Sequence, residues 1–309
     1  MLAASSSCSF IFDTIPPVIA SVSVSEISYS SATITWTTDE STTSQVEYGT
    51  TAAYGTTTKL DKKRVESHSV ELINLDPDTT YYYRAISKDA SGNETISPGK
   101  TFHTENEEIY GRTYEWDFMG SSWTYTTDIP QSTYDYFADK PRVSDYSEYV
   151  LNPNDDEWME GLADLFTEEA QAKGWDDSYY IPFALSFVQS MPYTSDDVTT
   201  GYDEYPRYPV ETIVDKGGDC EDTAILFASI VKAMGYEVAL LLLEEDEHMA
   251  TGVLISQSFI DNWDKAYPLA YYSDSDGNNY AYCETTVEGW ELGEMPGDLV
   301  GTAEILDVF

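Results

Sequence analysis

GGDCEDTAILFASIVKAM, residues 217–234, is the stretch that decides how the second half of this chain folds. The run from Thr223 to Met234 is rich in helix formers with apolar residues at helical spacing, and Gly235 is its stop. Asp219 is a good N-cap, with Asp222 three residues on as an approximate capping box. The paired Gly217 and Gly218 permit a tight approach to the helix start. Cys220 is therefore predicted in the first turn of a buried helix. There the free amides and the helix dipole favour a thiolate, and the same amides can face a developing oxyanion. Glu221 and Asp222 oppose the first effect, because neighbouring carboxylates raise a thiol pKa. A cationic partner is needed.

Working outward, the second half of the chain offers one histidine, His248. It follows the apolar run VALLLL (238–243) and precedes MATGVLI (249–255), both of which read as strands. Adjacent strands packed on the Cys220 helix can bring a strand-start imidazole within hydrogen-bond reach of the thiol. The best orienter for that imidazole is Glu284 in YAYCETT (280–286). On a strand, Tyr280, Tyr282 and Glu284 share one face and Cys283 points away. Upstream, Asn154 or Asp155 caps a helix through about Lys173, with Trp158, Leu162, Leu165 and Phe166 at helical spacing and Gly174 as the stop. A second helix spans Tyr180 to Ser190, ended by Pro192.

The order of GGDCED, a strand-borne histidine and a strand-borne acid resembles the transglutaminase-like, papain-related superfamily. Phe187-Val-Gln189, Asp196 and the segment from Pro206 to Thr212 resemble its bacterial and archaeal transglutaminase-like cysteine peptidase branch, over roughly Asp155 to Phe309. The resemblance implies an α+β papain-like domain with Cys220 as nucleophile, His248 as general base and acid, and the strand acid as orienter. The family carries Asp at the third position, so Glu284 is a departure. Gln189 is a candidate oxyanion donor, and Gly218 and Asp219 support the Cys220 turn. The competing readings are a Cys220–Cys283 disulfide, an inert buried thiol, and Glu284 as a solvent-facing strand acid; for Gln189, a helix-surface amide is as good a reading.

Residues 16–104 read differently. Short β-rich segments alternate with period two and are separated by turns at Tyr48-Gly49, Asp76-Pro77 and Ser91-Gly92-Asn93, which predicts an antiparallel sandwich. Trp36 in the second strand and the run LDPDTTYYYR (75–84) resemble fibronectin type III domains, with Tyr81 at the tyrosine-corner position. Such a module implies a spacer or a binding unit for a cell-surface or carbohydrate ligand. His68 and His103 lie on strands without paired cysteines or clustered acids and read as structural or surface residues. Asn93-Glu94-Thr95 is a glycosylation sequon at a turn.

The fold class is thus multidomain: residues 1–15 a disordered start or signal remnant, 16–104 an all-β sandwich, 105–112 a polar linker, and 113–309 the α+β domain. Residues 113–149 are expected to form an edge strand plus extended segments. In the 309 residues, 56 acids face 15 bases, a net charge of −41. That field repels phosphate backbones and anionic lipid, which excludes nucleic-acid partners, and suits a salty extracellular or cell-surface setting. No apolar run is long enough for a transmembrane span. Three cysteines make no disulfide scaffold, and Cys8 only faintly resembles a lipid-attachment site. No cofactor is implied: one histidine and separated cysteines build no standard zinc site, and Asp274 to Asn279 lacks the spacing of a calcium loop and reads as a hairpin turn. The functional expectation is a cysteine-dependent acyl-transfer enzyme acting on a peptide or protein substrate, with hydrolysis the leading reading and protein crosslinking the alternative, since both share the acyl-enzyme step. Its rival is a non-catalytic surface adhesion protein.

Overall fold

A computed structural model describes residues 13–195, 205–297, 299 and 301–308. Cys8 and Asp196 lie outside the described residues. The chain divides into two compact units, residues 1–108 and 109–309.

The first unit is antiparallel throughout, with strands β1 (Ile19–Ser25), β2 (Ala32–Gly49), β3 (Thr56–Thr57), β4 (Asp61–Leu72), β5 (Thr80–Lys88), β6 (Glu94–Ile96) and β7 (Lys100–His103). The long β2 belongs to both layers. Its first part pairs with β1 and β4, the register breaks between Thr37 and Thr42, and its last part pairs with β3 and β5. Side chains from both layers, Ile34, Trp36, Leu72, Val46, Tyr83 and Phe102 among them, close one apolar core. Tyr81 Oη accepts from the Asp76 amide at 3.0 Å, which closes the expected tyrosine corner. His68 is buried, stacked on Trp36 with centroids 4.7 Å apart and bonded to Thr38 and Ser44; His103 is exposed and pairs with Asp78. Residues 13–15, placed in the expected disordered start, are tied down, because Asn93 Nδ2 donates to the Asp13 and Ile15 carbonyls. Asn93 Nδ2 also donates to Asp89 Oδ2 at 2.7 Å.

The second unit opens with a ten-rung hairpin, β8 (Ile109–Phe118) and β9 (Ser121–Pro130). The strand therefore begins inside the expected linker, and residues 113–149 are not merely an edge strand with extended segments. The turn explains the difference: Met119 and Gly120 both take positive φ, at 51° and 71°, a hairpin geometry that methionine does not announce. Helices α1 (Gln131–Ala138), α2 (Ser147–Val150), α3 (Asp156–Ala172), α4 (Tyr180–Gln189), α5 (Pro209–Asp215) and α6 (Cys220–Ala233) follow. Strands β10 (Val238–Leu243) and β11 (His248–Ile255), helix α7 (Gln257–Asp261), and strands β12 (Tyr271–Ser273), β13 (Asn279–Cys283) and β14 (Glu304–Asp307) complete the unit. The strands form an antiparallel sheet in the order β12-β13-β11-β10-β14. The Asp274–Asn278 segment is the hairpin turn between β12 and β13, with Asp274 Oδ1 accepting from the Asp276 and Asn278 amides.

One sheet face packs on the helices. Leu240, Met249, Val253 and Cys283 join α3, α4, α6 and the hairpin aromatics in a single core. The other face gathers Leu241, Leu243, Ala250, Tyr280 and Tyr282. Helix α6 lies in the middle, and every residue from Glu221 to Val231 is buried.

Candidate functional site

The start of α6 is held from several directions. Asp219 and Asp222 form the capping box reciprocally. Asp222 also accepts from the Arg207 amide at 2.7 Å and pairs with the Arg207 guanidinium, and Arg207 itself reaches Asp215. Both members of that pair are fully enclosed, so the charge on each depends on the other. The glycines are sterically required. A Cβ on Gly218 would stand 2.4 Å from the Asp222 Cβ, and one on Gly217, at φ 151°, would stand 2.3 Å from the Pro192 carbonyl oxygen. Two cross-links then join this turn to the sheet: Thr251 Oγ1 donates to the Ala224 carbonyl at 2.9 Å, and the Thr223 and Thr285 hydroxyls lie 3.0 Å apart.

Cys220 occupies the first helical position and is half-buried; Cys283 is buried on β13, and both thiols are free, which removes the disulfide reading. Cys220 Sγ donates to Glu221 Oε2 at 3.4 Å, and the Met249 backbone hydrogen-bonds to the sulfur. Burial pushes the thiol well above its ordinary range, and the Glu221 and Asp219 carboxylates push the same way against the Met249 hydrogen bond.

His248 opens β11, next to that Met249 amide, with its side chain 15% exposed. Its Nε2 lies 3.1 Å from Glu284 Oε2 and 3.2 Å from Tyr282 Oη, and among the described residues its Nδ1 has no hydrogen bond. An Nε2–H donated to the carboxylate leaves the Nδ1 lone pair as the basic position. No hydrogen bond joins the ring to Cys220 Sγ in this structure. Glu284 directly follows β13 and is buried, as part of a closed network rather than facing solvent. Tyr282 Oη donates to its Oε2 at 2.7 Å; the Thr286 amide and hydroxyl donate to its Oε1 at 3.0 and 2.6 Å. Burial alone would push this carboxyl up. The bonds from His248, Thr286 and Tyr282 and the charge of His248 outweigh it and bring it down to about 2.

Tyr282 and Thr286 were not singled out as site residues in the sequence. The signal was present for Tyr282, which shares a strand face with Glu284 at spacing two. Gln189 differs from its expected role. Its Nε2 donates to the carbonyls of Glu284 and Trp290, at 2.8 and 3.0 Å, and its Oε1 accepts from Gly289. Both amide hydrogens are committed, so Gln189 staples the loop after Glu284 instead of serving an oxyanion. By helix geometry the Cys220 amide, which has no intrahelical acceptor, is the donor left for that task, since the Glu221 amide is taken by its own carboxylate. Among the described residues the one acidic group with metal-ligand proximity is Asp13, Glu40 and Asp89, in the first unit.

The comparisons bear on the first unit. A family model described as the purple acid phosphatase N-terminal domain matches residues 17–104. Similar solved structures include the sensor domain of the anti-sigma factor RsgI4 of Pseudobacteroides cellulosolvens, at 20% identity over 30% of this chain and 99% of that one, TM-score 0.25. A fibronectin type III domain from the human KIAA0970 protein matches at 19% identity over 28% and 73%, TM-score 0.24. The FN1–FN3 domains of chicken CNTN1 match at 22% identity over 30% and 33%, TM-score 0.24. No curated protein matches the sequence. The first unit is a fibronectin type III-like β-sandwich. The second is a mixed α/β unit. No helix among the described residues is long and apolar enough to cross a membrane.

Proposed function

We propose that the second unit is a transglutaminase-like cysteine enzyme that hydrolyses a peptide or amide bond through Cys220, His248 and Glu284, in a secreted or surface-displayed protein. The observation that carries this reading is the local arrangement of the three. The imidazole bonded to a deeply ionised Glu284 sits one residue from the amide that hydrogen-bonds to the Cys220 sulfur.

The chemistry follows from the hydrogen bonds. Glu284 fixes the His248 ring and stabilises the imidazolium that forms on proton transfer. Nδ1 takes the thiol proton as Cys220 attacks the carbonyl carbon. The oxyanion meets the Cys220 amide at the start of α6, and His248 then returns the proton to the leaving amine. Burial and two carboxylates oppose a resting thiolate, so the thiol loses its proton during attack and not before it. Water completes hydrolysis; an amine in its place gives crosslinking. A peptide library incubated with and without an added primary amine tests the reading. New amine termini that vanish with Cys220→Ala support hydrolysis, and amine-tagged glutamines indicate crosslinking. Neither product from the intact protein would leave the binding-scaffold rival.

A further inference from the structure

Tyr282 meets the His248 ring from the sheet. It lies on β13 opposite Gly252 of β11, and at period two Gly252 shares a strand face with His248. The side chain is fully buried, so its hydroxyl needs a partner inside the protein. That partner is the carboxylate: Tyr282 Oη donates to Glu284 Oε2 at 2.7 Å, while the same hydroxyl oxygen stands 3.2 Å from His248 Nε2. A phenol owns one proton. With that proton in the bond to Glu284, the hydroxyl offers His248 only a lone pair. Burial and the Glu284 charge push the phenol up from its ordinary range, so the proton stays on oxygen near neutral pH. Both atoms that meet Nε2, Glu284 Oε2 and Tyr282 Oη, are then acceptors, and Nε2 must carry the hydrogen. The other carboxylate oxygen is held by the Thr286 amide and hydroxyl, so Glu284 cannot turn without breaking bonds at both oxygens. The same strand supplies a comparison. Tyr280, two residues earlier on that face, is equally buried and gives its hydroxyl proton to Asp307 Oδ1 on β14, at 3.1 Å.

We infer that Tyr282 is a positioning residue for the general base: its hydroxyl donates to Glu284 Oε2 and turns a lone pair to His248 Nε2, which keeps the ring proton on Nε2 and leaves Nδ1 to take the proton of Cys220. The functional half of this assignment rests on the acyl-transfer reading of the same site; the place of the ring proton does not. Tyr282 is enclosed and touches no substrate, so its effect passes through Glu284 and the imidazole. A ring held by two acceptors keeps its orientation through the proton transfers, and small misplacements of a reacting group are costly in rate.

The test compares Tyr282→Phe with Tyr280→Phe, each of which removes one buried phenolic oxygen bonded to a carboxylate. In protein carrying isotope-labelled histidine, long-range proton–nitrogen NMR at a pH where the ring is neutral reads which nitrogen of His248 is protonated. A His248→Ala sample identifies its signals among the three histidines. The wild type is expected to show the proton on Nε2. Exchange of that proton with water is expected to be about tenfold faster in Tyr282→Phe and unchanged in Tyr280→Phe. With a p-nitrophenyl ester, Tyr282→Phe is expected to lower the saturating rate of the p-nitrophenol burst about tenfold at an unchanged half-saturating ester concentration. Tyr280→Phe is expected to alter neither. A wild-type ring protonated on Nδ1 overturns the assignment, as does a Tyr282→Phe variant that matches Tyr280→Phe in exchange or in burst rate. Wild-type protein without a burst sinks the acyl-transfer reading alone, and the tautomer and exchange measurements then decide the place of Tyr282.

Discussion

Replacing Glu221 by Gln should make Cys220 more reactive. The Glu221 Oε2 atom lies 3.4 Å from the sulfur and accepts its proton. Two unit charges about 4 Å apart interact by about 4 kcal/mol at an effective dielectric of about 20, and by about 1 kcal/mol in bulk water. Cys220 is half-buried, so about 1–3 kcal/mol is a fair range for the repulsion between a thiolate and this carboxylate. That corresponds to about one to two pKa units, or a thiolate fraction roughly 10–100-fold higher at fixed pH. The lower basicity takes back part of the gain, because thiolate nucleophilicity falls with pKa with a slope of about 0.4–0.5. A net rise of about three- to tenfold in alkylation rate is expected. The assay is the iodoacetamide rate at pH 8, followed by intact mass and peptide mapping, with buried Cys283 as the internal control. Burial raises the Glu221 carboxyl, so the assay is run at pH 8 to favour its ionised form in the wild type. A Glu221→Gln rate equal to or below that of the wild type would refute the electrostatic account of the thiol.

Three further outcomes follow from the same structure. Asp155 is 2% exposed with Oδ2 unpartnered, and burial raises its carboxyl to about 7. A folded pKa above the unfolded value makes the wild type lose stability as pH rises from about 4 to about 7, by up to about 4 kcal/mol; urea titrations should therefore show Asp155→Asn more stable by about 2–4 kcal/mol at pH 8 and nearly equal at pH 4, and a pH-independent difference would contradict this. Glu284→Gln keeps the shape but removes the charge that holds His248, so turnover should fall by about 10²-fold or more with the fold retained by circular dichroism. With its carboxyl held at about 2, the stabilisation from the Glu284 charge is present above about pH 4.5 and lost as pH falls toward 2. Gly218→Ala forces a Cβ against Asp222 and should cost about 1–3 kcal/mol in urea titration, whereas Gly161→Ala, in open space inside α3, should gain up to about 1 kcal/mol.

What was legible in the sequence was whatever depends on local periodicity and caps. Asp155 at the head of α3, Gly174 after it, the span of α4 and the glycine-flanked start of α6 all follow from short-range rules. The tyrosine corner was readable because Tyr81 and Asp76 are five residues apart. Contacts made across long stretches of chain were not. Gln189 sits at a helix end, where an exposed amide and a loop staple look alike; only the loop near Trp290, 101 residues on, decides between them. Arg207 and Asp222 read as separate features of a motif, although each neutralises the other in the interior. The β8–β9 hairpin and edge strand β14 escaped for different reasons. The first lacks the usual turn residues at Met119, and the second is four residues long and, among the described residues, pairs with β10 alone.

The central claim is that Cys220 forms a covalent acyl intermediate with the help of His248. Intact mass spectrometry after mixing with a p-nitrophenyl ester tests it directly, with the p-nitrophenol burst followed in parallel. A single acyl adduct mapping to Cys220 is expected in the wild type, absent in Cys220→Ala and formed at least 10²-fold more slowly in His248→Ala. An adduct that forms equally fast without the imidazole, or none at all on Cys220, would contradict the account.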